Sequence, residues 1–213
     1  QANVPLVIRM TTGGGRQLAA QHSHSLENYY AHVPGLTVLS AATIEDARWK
    51  LAPALADPDP VVIFEHGTLY NSEGDPGLGP VDIRSAAVRR AGSDVTLIGY
   101  GSTVGVSLQA AEQLAAEGVD ADVVDLRVLR PLDVDTVVAS VRQTHRAVVV
   151  DEGWRAVSIA AEVAAAVQEQ AFFDLDAPVR RVCTREVPLP YPRHLEDAAR
   201  PSVERVLASV RDV

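Results

Sequence analysis

From Asp94 onward the chain alternates between short apolar runs rich in β-branched residues and longer amphipathic stretches, and this most constrains its fold. Strands are expected at 95–100, 121–125, 147–150 and 179–182, and helices at 104–116, 134–141, 159–170 and near 203–210. A strand covered by helices on both faces reads as a continuous apolar run, so the alternation predicts a doubly wound parallel α/β sheet. The first part repeats the pattern less completely. Apolar strands are expected at 4–9, 36–39 and 61–65, with a short helix at 25–31. Thr43 is a candidate N-cap, with Glu45 and Asp46 in the first turn of a helix reaching about residue 56. Asp57-Pro58-Asp59-Pro60 ends it, since proline cannot continue a helix.

Three strands are few for a closed sheet. The expectation is a remnant, the C-terminal part of a first α/β domain over 1–80, then a linker at 81–92 and a complete domain over 93–213. The strands at 4–8 and 61–64 should then have poorly covered faces or edges, which favours self-association as a dimer. The glycine run Gly13-Gly14-Gly15 and the Gly/Pro-rich segment 67–80 read as the most mobile parts. The absence of an initiator methionine before Gln1 fits a processed or truncated chain.

Composition narrows the function classes. With 47% hydrophobic and 22% charged residues, a packed core is accessible and disorder is not expected. A net charge of −9 argues against nucleic acid and anionic membranes as main partners, since both need clustered cations. Cys183 is the single cysteine, which rules out an intrachain disulfide and a cysteine metal cluster and makes the cytoplasm the default compartment. No apolar run approaches the ~18 residues of a membrane span.

Several motifs compete. Gly99, Gly101 and Gly105 lie between a strand and a helix, but their G-x-G-x-x-x-G spacing is one residue too long for a dinucleotide loop, even with Asp125 ending the next strand. The same turn puts Thr103 where a nucleophile elbow needs serine, and helix capping explains Ser102 and Thr103 equally well. His22 and His24 follow the glycine run at i, i+2 and can meet at a ligand; a metal would want further ligands, and neither His32 nor His66 is placed by the sequence. Asp57 and Asp59, between prolines after a helix end, suit either a hard cation or a solvated turn. Arg127, Arg130, Arg180 and Arg181 read as ion-pair residues.

The run AAQHSHSLENYYAHVPGLTVLS resembles the β subunit of thiamine-diphosphate-dependent 2-oxo acid dehydrogenases, the decarboxylating component. The likeness continues through DPDPVVIFEHGTLY, DVTLIGYGSTV, GVDADVVDLRVLRPLDVDTV, VVVDEGW, LDAPVRRV and VPLPYPRHLEDAARPSV, in order, over essentially the whole chain. The resemblance implies a transketolase-like pyrimidine-binding domain followed by a transketolase C-terminal-type domain. It implies oxidative decarboxylation of a 2-oxo acid, pyruvate in preference to the branched-chain and acetoin types, with acyl transfer to a lipoyl group. His22 would match the active-site histidine. Leu6, Ala54, Leu55, Asp57 and Asp59 would match a potassium site built largely from backbone carbonyls. Thiamine diphosphate would be shared with an α subunit that also holds magnesium, and the acid that activates the aminopyrimidine would lie upstream of Gln1. No residue of this chain is assigned to the cofactor. The implied partners are that α subunit and a lipoyl acyltransferase core. The alternative reading is a non-catalytic assembly or docking fragment of the same subunit.

Overall fold

The protein is described over residues 3–213 by a computed structural model. The first half runs β1 (Val7–Thr12), α1 (Ala19–His22), α2 (Glu27–Ala31), β2 (Thr37–Ala41), α3 (Ile44–Trp49), α4 (Leu51–Ala56) and β3 (Val61–His66). The second runs β4 (Ala87–Arg90), β5 (Val95–Gly99), α5 (Ser102–Ala116), β6 (Ala121–Asp125), β7 (Val128–Arg130), α6 (Val134–Thr144), β8 (Ala147–Trp154), α7 (Ile159–Ala171), β9 (Arg180–Thr184), α8 (Arg193–Ala199) and α9 (Val203–Arg211).

The strands form two sheets, ordered β1-β3-β2-β7 and β4-β6-β5-β8-β9. In the second sheet β6, β5, β8 and β9 are parallel. Their side chains alternate faces, as the pleat demands. Leu97, Val123, Val148 and Val182 belong to one core with Ala110 and Leu114 of α5 and Val206 of α9. Ile98, Val124 and Val149 belong to another, with Val137 and Val141 of α6 and Val163 and Val167 of α7. That second core also takes in Val38, Val62 and Phe64, so the two halves share apolar packing. Helix starts follow local chemistry: Thr43, Asp133, Ser158 and Ser202 each accept the backbone N–H three residues on.

The structure departs from these expectations at four points. The segment 81–92 is not a plain linker: Val81 and Ile83 are buried, and Ala87–Arg90 forms β4, antiparallel to β6. Strand β3 is not poorly covered, because it lies between β1 and β2 with Val61, Val62, Ile63 and Phe64 all buried. Exposed apolar residues of this sheet, Val4, Leu6 and Ile8, run along and just before its edge strand β1. Strand β7, from the second half, joins the first sheet: it pairs antiparallel with β2 through Val38–Arg130 and Leu39–Val128. The helix expected from Thr43 to about residue 56 is divided at Lys50, which caps both α3 and α4.

Candidate active site

In open α/β sheets, ligands bind beyond the carboxyl ends of the strands. There, β1 ends at Thr12 and β3 at His66, while β8 carries Glu152 just past its apolar run. After Thr12 the chain makes the glycine loop and enters α1, whose last residue is His22.

The loop is not loose. Gly14 N–H donates to Glu152 Oε1 at 2.6 Å, Gly15 N–H to Glu196 Oε1 at 2.9 Å and Gln17 N–H to Glu196 Oε2 at 3.0 Å. Neighbouring backbone N–H groups in such a turn make an anion-binding nest, and here two carboxylates of the second half fill it. Glycine is required by space as well as by φ. A Cβ on Gly13, at φ +88°, would stand 1.9 Å from His66 Nε2, and one on Gly15, at φ +90°, 2.5 Å from Arg200 Nη1.

Glu152 is the hub of this seam. His66 Nε2 donates to its Oε2 at 2.8 Å, Ser102 Oγ to the same oxygen at 2.6 Å and Arg200 Nε to Oε1 at 3.1 Å. Thr68 N–H points at His66 Nδ1, which fixes Nδ1 as acceptor and Nε2 as the protonated nitrogen. Burial alone would raise the Glu152 carboxyl; His66, Arg200 and Ser102 outweigh it and hold the group far below the usual carboxylate range. Beside the hub lies a cavity lined by Thr12, Ser25, Glu27, Ser40, His66, Tyr100 and Ser102, with a volume of about 10 Å³. That is room for roughly one water. Glu27 Oε2 and Thr12 Oγ1 find no hydrogen-bond partner among the described residues, and burial pushes the Glu27 carboxyl up to about 8.

The two candidate histidines separate. His22 is exposed, while His24 is half-buried, edge-on to Trp154 with ring centroids 4.6 Å apart, and accepts Leu189 N–H at 3.3 Å. Burial lowers the His24 pKa. His32 lies elsewhere, in a cleft of about 800 Å³ with Arg84 and Arg130. The potassium candidates gather where β1 begins and α4 ends. Leu6 O accepts Val61 N–H at 2.8 Å, Ala54 O accepts Asp57 N–H at 3.3 Å, and Leu55 is exposed. The Asp57 carboxylate is bonded to the Arg84 guanidinium and to Asp59 N–H. At the other glycine turn, Thr103 Oγ1 accepts Tyr100 N–H at 3.0 Å and its one proton lies between the Tyr100 and Val150 carbonyls, which ties up the hydroxyl instead of freeing it as a nucleophile. Asp125 is taken by Arg89 and by Arg127 N–H, so no ribose acid is free there.

Sequence reasoning missed Glu152, Glu196, Arg200 and Glu27, and named His66 without placing it. The one local signal was the acid pair Asp151-Glu152 closing an apolar strand, where buried charge demands partners.

Two family descriptions match: "Transketolase, pyrimidine binding domain" over residues 1–73 and "Transketolase, C-terminal domain" over residues 84–206. The chain belongs to the transketolase family. This transketolase-family chain is 43% identical to the pyruvate dehydrogenase E1 component subunit beta-1, mitochondrial, of Arabidopsis thaliana, over 97% of this chain and 59% of that protein. It is 42% identical to the acetoin:2,6-dichlorophenolindophenol oxidoreductase subunit beta of Cupriavidus necator, over 99% of this chain and 63% of that protein. Among solved structures, a split-gene transketolase, described as an inactive beta4 tetramer, superposes with a TM-score of 0.83 at 25% identity, over 99% of this chain and 66% of that one. The chain thus spans about three-fifths of the length of the curated relatives named here.

The chain belongs to a thiamine-diphosphate-dependent family, and the residues described offer no open diphosphate cradle of their own. The loop N–H groups that would cradle a diphosphate are held by Glu152 and Glu196, and the cavity at Glu27 is too small for a pyrimidine ring.

Proposed function

We propose that this chain is the portion of a 2-oxo acid dehydrogenase β subunit that presents His22 at the acceptor side of the active centre. The overall reaction would be oxidative decarboxylation of a 2-oxo acid, pyruvate first, with the acyl group passed to a lipoyl disulfide. The cofactor would be held with an α subunit and with parts of the β subunit outside the described residues, and magnesium would lie on the α subunit. The observation that carries this reading is the 43% identity to a pyruvate dehydrogenase β subunit along nearly the whole chain. His22 is exposed at the end of α1, and an imidazole exchanges protons near neutral pH, which suits orienting or protonating an acceptor sulfur. The exposed apolar edge at Val4, Leu6 and Ile8 supports association, with a second copy and with the α subunit. The potassium reading stays part of the proposal: the Leu6 and Ala54 carbonyls each keep a second lone pair.

The deciding experiment uses the full-length subunit assembled with its α subunit. His22→Ala should spare decarboxylation measured with an artificial electron acceptor and depress acyl transfer to lipoyl by about 10²-fold. Equal losses in both half-reactions would contradict the role given to His22. A second substrate reading is favoured by the 42% identity to the acetoin-linked subunit. A specificity ratio favouring acetoin over pyruvate would select it.

A further inference from the structure

Gln17 and Ala19 both sit at φ +56°, in the left-handed region that non-glycine residues rarely adopt, on the entry to α1. Such residues persist only where their surroundings over-determine them. The partner that holds this stretch is Glu196, whose side chain is fully buried and spends both oxygens on it, one on Gly15 N–H and one on Gln17 N–H. Glu196 is itself fixed from the second half. Arg185 N–H bonds to Ala199 O at the end of α8, and the Arg205 guanidinium bonds to Arg200 O at 2.8 Å and to Cys183 O at 2.6 Å.

We propose that Glu196 is a positioning residue: by gripping the backbone at Gly15 and at the left-handed Gln17 from the C-terminal half, it sets where His22 stands. This rests on the role given to His22 above. His22 stands five positions after Gln17, and the last four of them, Ala19–His22, are the single turn of α1, so a shift at Gln17 carries directly to the imidazole. The chemistry requires a carboxylate. Both loop groups are donors, and a carboxylate offers two acceptor oxygens, whereas an amide would turn an NH₂ toward one of them. Glu152 grips the same loop at Gly14 but also serves His66, Ser102 and Arg200, so Glu196 is the cleaner probe.

Two measurements test this on Glu196→Gln. In this chain, amide hydrogen exchange at Gly15 and Gln17 should speed up by about tenfold or more, as expected for loss of a hydrogen bond to a charged group, while amides of α9 keep their protection. Unchanged exchange at both loop amides would overturn the clamp. In the full-length subunit assembled with its α subunit, acyl transfer should fall about 10- to 100-fold in kcat, with the KM for the 2-oxo acid unchanged. In a His22→Ala background the same substitution should cause no further fall. An undiminished further fall there would overturn positioning through His22 and leave a purely structural residue. If His22→Ala alone leaves acyl transfer intact, the reading of His22 fails, while the exchange data still decide the clamp. Should Glu196→Gln fail to fold, Glu196→Asp keeps the charge but shortens the reach by one methylene. It should show the same faster exchange at Gly15 and Gln17, and full protection there would overturn the proposal.

Discussion

Two buried polar seams join the halves of this protein, and they differ in what their charges face. In the seam beside α3, Asp46 meets Lys50, Arg89 and Arg127, while Asp125 meets Arg89, and Arg89 also reaches Glu45. Three cations stand among three carboxylates. Burial lowers the Lys50 ammonium to about 8, and the Asp46 carboxyl is held below its ordinary value because the three cations outweigh its own burial. In the seam beside the glycine loop, Glu152 has one permanent cation, Arg200, beside His66 and Ser102, and the other partners of Glu152 and Glu196 are backbone N–H groups. In the first seam charge is matched by charge, although Arg127 Nη2, 2.9 Å from Asp46 Oδ1, makes no well-aligned hydrogen bond among the described residues. In the second, charge is spent on the backbone of a loop, and Thr12 Oγ1 and Glu27 Oε2 nearby stay without hydrogen-bond partners among the described residues.

The sharpest way to break the comparison is to open the first seam. Asp46→Ala leaves Lys50, Arg89 and Arg127 underpaired in the interior and should destabilise the chain by about 5 kcal/mol in urea unfolding. Residual native protein should keep normal exchange at the loop amides. Glu152→Ala should cost somewhat less, about 4 kcal/mol, because only one true cation loses its partner; unlike Asp46→Ala, it should also expose the Gly14 amide to exchange. Identical loop exchange in the two variants would erase the distinction.

Glu27 sharpens the contrast through pH. Its carboxyl titrates near 8 in the folded chain against an ordinary value of 4.5. A raised acid contributes stability that is fully present below the unfolded value and is lost as pH climbs through the folded one. Over the window from 4.5 to 8, Glu27→Gln should therefore gain on the native chain as pH rises, by about 3 kcal/mol between pH 4.5 and 7. A stability difference that stays flat with pH would place a partner on Glu27 in solution. The smallest effect concerns Leu6, Ala54 and Asp57. Replacing potassium with tetramethylammonium at constant ionic strength should lower the Tm by about 2–4 °C if a cation binds there. An unmoved melting curve would leave Arg84 as the sole cation of Asp57.

The comparison also bears on what the sequence could reveal. Elements that bury one face were legible: β6 falls at the expected residues 121–125, and α5, α6, α7 and α9 lie where apolar periodicity put them. Strand β7 was not legible, since three residues beside a proline carry no period. Nor was β4, whose AVRR reads as charged linker until Arg89 is seen reaching Asp46 and Asp125. The candidate site was half legible. His22 came with the resemblance, and the glycine run was visible but read as mobile. Its anchors lie 138 to 181 residues away in the chain, and no local pattern connects Gly14 to Glu152 or Gly15 to Glu196.

Strand β7 leaves the second half to complete the first sheet beside β2, and Lys50 reaches across to the carbonyl of Arg127 just before it. Recombination between related genes at residues 81–92 would therefore not exchange interchangeable modules. A chimera inheriting a foreign second half would receive a foreign edge strand against Val38 and Leu39, so the junctions that preserve folding are those that move β2 and β7 as one block.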